Sequence, residues 1–248
     1  MIDRKIFVFN GKSSAEYGIY LTGATTFGGT TKTVEKVSIP GRNGDLTISS
    51  DRYENQSYVL HIGIVSLEHL HEVLRDFRSF MLASDGYCRL EDSYHPDEYR
   101  KAQFVGPIDF DVTLLMTAEA DLTFDCMPQH YLKNGESEIV ETKAGIDNQI
   151  YNPTYFPSLP KIEVTGYGTL QIGNGIVKVA QNSNGVAVID CERPDCTFKA
   201  SGGNANPFVS VKRDNLDNAY PQLKPGTNTI HFDSTITQVN IVPRWWML

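Results

Sequence analysis

Hydrophobic and polar residues alternate in short runs along most of the chain. The runs include KIFVF, KIEVTG, TLQIG, IVKVA, VAVID and QVNIV, which show period-two alternation or are rich in β-branched residues. Such runs are typical of β-strands with one buried face. Asn-Gly pairs, which tolerate the positive φ angles of tight turns, punctuate the sequence at Asn10, Asn43, Asn134, Asn174 and Asn184. The pattern predicts a mostly β protein.

One segment, SLEHLHEVLRDFRSFMLASDG, has a helical period instead. Its apolar residues recur three and four positions apart, at Leu67, Leu70, Leu74, Phe77 and Met81. This spacing predicts an amphipathic helix over about 66–83. Ser66 is the expected cap at its start, and Gly86 is expected to close its end. We interpret the helix as a cover for one face of a sheet.

The composition changes near residue 130. A stretch rich in proline and acidic residues follows, with Pro153, Pro157 and Pro160, and strands then resume without a helical pattern. At 248 residues the chain is long enough for two ordinary domains. We therefore expect a β domain with one helix over 1–135 and an all-β sandwich over 136–248.

Charge and cysteine content exclude several classes of protein. Thirty acidic residues against 22 basic ones give a net charge of −8, which disfavours stable binding to nucleic acid. The start, MIDRKIFVFNGK, has no long apolar run, so we expect neither a signal peptide nor a membrane anchor. Sparse cysteines suit free thiols in a reducing cytosol; they are Cys88, Cys126, Cys191 and Cys196.

Two segments hold residues that could carry chemistry. The first concentrates Glu91, Asp92, His95, Asp97 and Glu98, which could supply a carboxylate pair or ligands for a hard metal, but their spacing matches no known site and favours a solvated turn. The second, CERPDC, has only two of the roughly four ligands that structural zinc needs. The sequence also lacks nucleophile-elbow, zincin and phosphate-loop motifs. We predict no enzyme activity, no metal site and no cofactor.

The stretch SIPGRNGDL surrounds Arg42 with Pro40, Gly41, Asn43 and Gly44. It could be a phosphate cradle, a hairpin turn or a docking loop. A Thr/Ile-rich run follows it rather than a helix, which argues against the phosphate cradle.

The closing segment, NIVPRWWML, contains adjacent tryptophans, Trp245 and Trp246. Such a pair could form a sugar-stacking platform or a docking anchor. Packing against the core or a neighbouring subunit is favoured, because each ring buries a large apolar area.

Several segments, in order along the chain, together resemble the distal tail protein family of siphoviruses, the long-tailed, non-contractile phages, that infect Gram-positive bacteria. They are FNGKSSAEYGIYL, SIPGRNGDL, GYCRLEDSYHPDEYRKAQF, FDCMPQHYLKNGE, YPQLKPGTNTIHF and VNIVPRWWML. The resemblance runs over essentially the whole chain. It does not distinguish a free phage from a prophage.

The resemblance implies a structural subunit of the tail tip, or baseplate, of the virion, assembled in the host cytoplasm. It implies an N-terminal β-sandwich or split barrel that builds a belt around a central channel, and a C-terminal galectin-like sandwich whose last strand can pack back on the first domain. The implied partners are other copies in a homohexamer, with stacked rings as an option, the major tail tube protein, the tail-associated hub protein and the tape measure protein. Receptor-binding proteins are an optional partner, since the second domain has no large inserted arm.

On this interpretation the loop Pro40 to Gly44 lies at a subunit interface, with Arg42 as its polar contact to a carboxylate. Acidic residues are expected to outnumber basic ones on the channel wall, so that DNA passes without binding. The alternative function is a carbohydrate-binding module that contributes to adsorption to the host cell. A third, hydrolase activity, rests on the acidic segment Glu91 to Glu98.

Overall fold

The computed structural model describes residues 5–26, 28–65, 69–113, 116–173, 175–179, 185–193, 195–200, 205–206 and 220–248. By its internal contacts the chain divides into two compact units, Met1–His130 with Leu248, and Tyr131–Met247. Strands dominate both units, and among the described residues one α-helix, α1, spans Leu70–Leu82. The prediction of a mostly β protein with a helix is confirmed.

Ten strands and a short 3-10 helix, Ser14–Tyr17, lie in the described part of the first unit, and the tenth strand continues two residues beyond it. The strands are β1 Phe7–Phe9, β2 Lys12–Ser13, β3 Ile19–Leu21, β4 Lys32–Val37, β5 Leu46–Tyr53, β6 Gln56–Val65, β7 Cys88–Asp92, β8 Glu98–Phe104, β9 Asp111–Thr113 and β10 Thr117–Leu132. The main sheet has the order β2-β1-β7-β8-β10-β6-β3, and β9 pairs with β10. The pairs β1/β7, β7/β8, β10/β6 and β3/β6 are all antiparallel.

Helix α1 covers one face of this sheet. Its buried residues, Leu70, Leu74, Phe77 and Met81, share a core with the inward side chains of the strands. The Phe77 ring meets the ring of Phe7 edge to face, with 6.4 Å between centroids. Burying one such side chain stabilises the folded state by roughly 1.5–3 kcal/mol. The helical spacing of the apolar residues therefore stabilises the packing of α1 on the sheet.

The ends of α1 differ in part from the prediction. Ser66 lies outside the described residues, and the helix begins after His69, whose φ is 59°. At the other end Ala83 is the C-cap, and its N–H donates to the Ser79 carbonyl. Gly86, with φ 68°, lies beyond the cap and does not close the helix. Because Ala83 keeps right-handed helical backbone angles, its N–H completes the last turn by bonding to Ser79, and no glycine is required.

The second unit contains the remaining strands. They are β11 Ile139–Glu141, β12 Asn148–Asn152, β13 Lys161–Gly166, β14 Gly168–Ile172, β15 Gly175–Val179, β16 Gly185–Asp190, β17 Asp195–Ala200, β18 Ala205–Asn206, β19 Gly226–Phe232, β20 Ile236–Val242 and β21 Trp246–Met247. A second 3-10 helix spans Lys133–Glu136.

Two sheets form a sandwich in this unit. Their orders are β11-β20-β13-β16-β17-β18 and β12-β19-β14-β15. Inward residues of both sheets share one core, for example Ile162 and Val164 of the first sheet and Leu170 and Phe232 of the second. Strand β13 alternates between buried and partly exposed positions, as the KIEVTG pattern predicts.

Candidate assembly interface

Strands β4 and β5 form a hairpin that pairs with no other strand among the described residues. Val37 lies opposite Leu46, and Glu35 lies opposite Ile48. Every residue from Val34 to Arg52 is exposed. The hairpin is therefore a two-stranded arm without a core of its own, and an isolated hairpin of this kind is at best marginally stable in water.

One face of the arm is apolar. Directly opposed residues and residues two apart on a strand share a face, so Val37, Leu46 and Ile48 lie together with Glu35. Val37 is 36% exposed, Leu46 41% and Ile48 48%. Adjacent exposed apolar side chains on one face are suited to contact with another protein, which would remove them from water.

The segment Pro40–Gly44 forms the tip of the arm. The Arg42 N–H donates to the Ile39 carbonyl over 3.1 Å, with Pro40 and Gly41 between them and a Gly41 φ of 80°. These are the features of a type II turn. The Arg42 side chain is exposed and has no hydrogen-bond or ion-pair partner among the described residues. A strand follows the loop rather than a helix, which removes the phosphate-cradle interpretation.

A second surface feature of the first unit is a cleft of about 690 Å³, called here the acidic cleft. Its lining includes four carboxylates, and no lysine or arginine of the described residues is part of it. The lining residues are Thr22, Gly23, His61, Ile62, Gly106, Pro107, Asp109, Asp111, Glu119, Ala120, Asp121 and Thr123. His61 Nδ1 lies 2.5 Å from Asp121 Oδ1, on the neighbouring strand.

Two other carboxylates of the acidic cleft repel each other. Asp111 of β9 lies directly opposite Glu119 of β10 in the antiparallel pair. Side chains in such a pair have Cβ atoms about 5 Å apart, and like charges there are destabilising. The sheet therefore holds two negative charges side by side at the cleft.

The acidic segment Glu91 to Glu98 serves a buried network. Asp92 Oδ1 accepts hydrogen bonds from the backbone N–H groups of Tyr94 and His95, over 2.8 and 3.0 Å, and lies 3.0 Å from His95 Nδ1. Its Oδ2 accepts from the Tyr58 hydroxyl and from Arg100 Nη1, over 3.1 and 2.9 Å. The turn interpretation of the sequence missed this role, because Arg100 and Tyr58 come from other strands.

Burial and charge act against each other in this network. Burial alone would raise the pKa of Asp92, but His95, Arg100 and the hydrogen bonds outweigh it and lower that pKa. Burial raises the pKa of Tyr58 to about 12. Burial, together with the charge of Arg100, lowers the pKa of His130. Asp92 is saturated with donors and buried, so it has no free oxygen with which to act on a substrate.

The two tryptophans pack within the second unit. Trp245 is 5% exposed and belongs to the core. Trp246 stacks on Phe156 with 4.5 Å between centroids, and its Nε1 donates to the Pro157 carbonyl. Next to them, Arg244 forms a bidentate contact to Asp190, with N–O distances of 2.6 and 3.0 Å. Arg244 and Asp190 thus fix the segment that carries the tryptophans.

The remaining candidates form no reactive site within the part of the chain that the structure describes. Cys88, Cys126 and Cys191 form no disulfide among the described residues, and burial raises the pKa of the Cys126 thiol to about 12. The side chain of Cys196 lies outside the described residues. Within the described ranges no three His, Cys, Asp or Glu side chains are grouped as metal ligands. None of the described helices is long and apolar enough to cross a membrane.

No protein-family model and no curated protein matches the sequence. A solved structure does match the fold: its title is "Crystal Structure of SPP1 Dit (gp 19.1) Protein, a Paradigm of Hub Adsorption Apparatus in Gram-positive Infecting Phages". The TM-score is 0.73 at 12% sequence identity, and the match covers 98% of this chain and 99% of that one. Over nearly its whole length, this chain therefore has the fold of a Gram-positive phage distal tail protein, as the resemblance in its sequence predicted.

Proposed function

We propose that this protein is a structural subunit of a phage tail tip that forms a hexameric ring between the tail tube and the hub protein. The observation that carries the proposal is the exposed hairpin arm with its apolar face, on a chain whose fold matches a hub adsorption protein from end to end. Exposing Val37, Leu46 and Ile48 to water is unfavourable in a monomer. Contact with another subunit would remove that cost.

The two units have different roles in this proposal. The first unit, with the arm and the acidic cleft, builds the belt around the channel. The second unit is a sandwich that we compare with galectins. The hub protein, the tube protein and the tape measure protein are the partners that this position would bring into contact, with receptor-binding proteins as an optional addition.

The channel of the ring would conduct DNA. A net charge of −8 supports this role, because a wall with more carboxylates than basic groups repels phosphates. The proposed role as a conduit is mechanical and electrostatic and requires no catalysis. We expect no retention of duplex DNA at physiological salt, where a phosphate-binding protein would still bind.

The location can be tested in virions. Particles labelled with an antibody against the second unit and imaged by electron microscopy should carry label at the end of the tail distal to the capsid. Label along the tail shaft or on the capsid would contradict the proposal.

A second candidate, carbohydrate binding, rests on one face of the sheet β12-β19-β14-β15. Tyr151 is 67% exposed there, and its strand neighbour Gln149 is exposed opposite Thr229. Across the next pair, Gln171 lies opposite His231. An exposed aromatic ring beside planar polar groups is suited to stacking and hydrogen bonding with a sugar ring.

A titration of the full-length protein with cell-wall polysaccharide tests this candidate. Millimolar or tighter binding that is lost with Tyr151→Ala, but retained with Tyr155→Ala, would support it. Tyr155 is the matched control, because it is 88% exposed and outside the sheet. No binding by the wild-type protein would remove the candidate.

A further inference from the structure

The acidic cleft carries a local excess of negative charge. Asp111 and Glu119 face each other across a strand pair, and Asp109 and Asp121 line the same cleft. The one basic side chain in the lining, His61, already lies against Asp121. A positive group placed between Asp111 and Glu119 would turn their repulsion into two attractions, so the cleft is suited to a cationic ligand.

Arg42 has the complementary properties. It is a planar cation at the tip of the arm, its side chain has no partner among the described residues, and the type II turn fixes the backbone around it. A guanidinium can donate to two carboxylates at once, and a pre-formed loop loses little entropy when it docks.

The tip does not reach the cleft of its own chain. Strand β5 has eight residues, so the tip lies roughly 26 Å from the base of the arm at about 3.3 Å per residue. The cleft lies on the body of the main sheet, around His61 and Asp121, and no described contact joins Arg42 to it. The cleft and the tip are therefore two different surfaces of the chain, and a second copy can bring the tip of one chain to the cleft of another.

We propose that the tip of one subunit docks in the acidic cleft of the next, with Arg42 bound between Asp111 and Glu119. The apolar face of the arm then packs against the receiving subunit. A contact between two different surfaces is heterologous, and repetition of such a contact closes into a ring when the rotation per subunit allows it. This inference rests on the proposed ring, and it names the two surfaces that hold the ring together.

A charge exchange tests the contact. Arg42→Glu should weaken assembly at least about tenfold in the concentration required, and Glu119→Arg should do the same. The double variant, Arg42→Glu with Glu119→Arg, should restore assembly, because the two charges are exchanged. Arg52→Glu is the matched control: it makes the same charge change on an exposed position of the same arm and should leave assembly unchanged.

The melting temperature of a Glu119 variant shows whether this residue acts in docking or only supports the fold. Glu119→Gln removes the repulsion with Asp111, so the melting temperature of the isolated subunit should stay equal or rise while assembly weakens. A fall in both quantities would mean that Glu119 supports the fold, and would overturn the proposal.

Zero-length crosslinking identifies the neighbours directly. Arg42→Lys places an amine at the tip, and a carbodiimide joins an amine to a carboxylate in contact with it. Rings are assembled from a mixture of 14N-labelled and 15N-labelled chains. The crosslink should join the peptide that contains position 42 to the peptide that contains Asp111 or Glu119. Products with one 14N peptide and one 15N peptide show that the link lies between two chains. Crosslinks to other carboxylates, or within one chain only, would overturn the proposal.

The outcomes also distinguish this inference from the ring itself. Intact rings of the Arg42→Glu variant would overturn the Arg42 contact and leave the ring standing. If a chelator abolishes the rings of the wild-type protein and the Arg42→Glu variant still forms rings, the cleft binds a divalent cation and not Arg42. Absence of rings for the wild-type protein, with tube and hub proteins present, would contradict the proposed function.

Discussion

Asp92 and Arg100 form an ion pair inside the first unit. Arg100 Nη1 donates to Asp92 Oδ2 over 2.9 Å, and the side chains are 1% and 5% exposed. The Arg100 guanidinium also lies over the Tyr58 ring, 4.2 Å from its centroid. The acidic segment considered above as a carboxylate pair thus joins β7, β8 and β6 from within.

Removing the carboxylate should destabilise the first unit strongly. Asp92→Ala leaves Arg100 buried without its counter-charge, which costs about 3–5 kcal/mol. Denaturant unfolding followed by circular dichroism would measure the loss, and hydrogen exchange in β8 would locate it. Asp97→Ala, in the same segment but exposed, should change stability by no more than about 0.5 kcal/mol. Equal effects of the two variants would contradict the role given to the pair.

The same pair should make the first unit sensitive to acid. The pKa of Asp92 is lowered in the folded protein from the ordinary 3.8, so the folded state binds its proton less readily than the unfolded state. The stabilisation is therefore fully present above about pH 4–5 and is lost as the pH falls through the folded pKa. Unfolding free energies measured from pH 6 to pH 2 should fall more steeply for the wild type than for Asp92→Asn. Parallel curves would show that Asp92 does not contribute.

Gly135 should tolerate no side chain. A Cβ at this position would clash with the backbone nitrogen of Trp245, and the Arg244 N–H already donates to the Gly135 carbonyl. Gly135→Ala must displace the segment that carries Trp245, at a cost of about 2 kcal/mol or more. Tryptophan fluorescence during unfolding reports on this unit, since both tryptophans belong to it.

Asn134→Ala is the control for this prediction. Asn134 is the exposed neighbour in the same turn, so removal of its side chain should leave the midpoint of the unfolding transition almost unchanged. A Gly135→Ala variant as stable as Asn134→Ala would mean that the turn and the C-terminal segment move apart easily.

The arm should matter for assembly and not for the fold. Ile48→Ser removes an apolar side chain that is 48% exposed, so the melting temperature of the subunit should stay nearly constant. Assembly should weaken, because the apolar face loses its largest exposed group. Thr47→Ser is the matched control on the opposite face. Unchanged assembly of the Ile48→Ser variant would exclude this face from the interface.

The sequence was informative wherever local pattern decides structure. The alternation in KIEVTG and the period of Leu70, Leu74, Phe77 and Met81 predict the right elements, because burial of one face determines both. Features that depend on strand register or on partners distant in sequence could not be predicted. The opposition of Asp111 and Glu119 depends on the register of β9 against β10.

The link between the units shows the same limit. Acidic and proline-rich composition suggests a linker, but β10 continues without a break to Leu132, past the point between His130 and Tyr131 at which the units divide. Its continuity follows from pairing: Leu132 N–H donates to the Trp245 carbonyl, more than a hundred residues later in the chain. Composition alone carries no information on such a bond.

We expect copies of this chain to close into a ring. The direct measurement is the mass of the purified protein by light scattering after size exclusion, with negative-stain imaging of the largest species. A hexameric assembly predicts a mass of six chains and rings with a central hole, alone or once the hub protein is added. A monomer at every concentration, with tube and hub proteins both present, would contradict it.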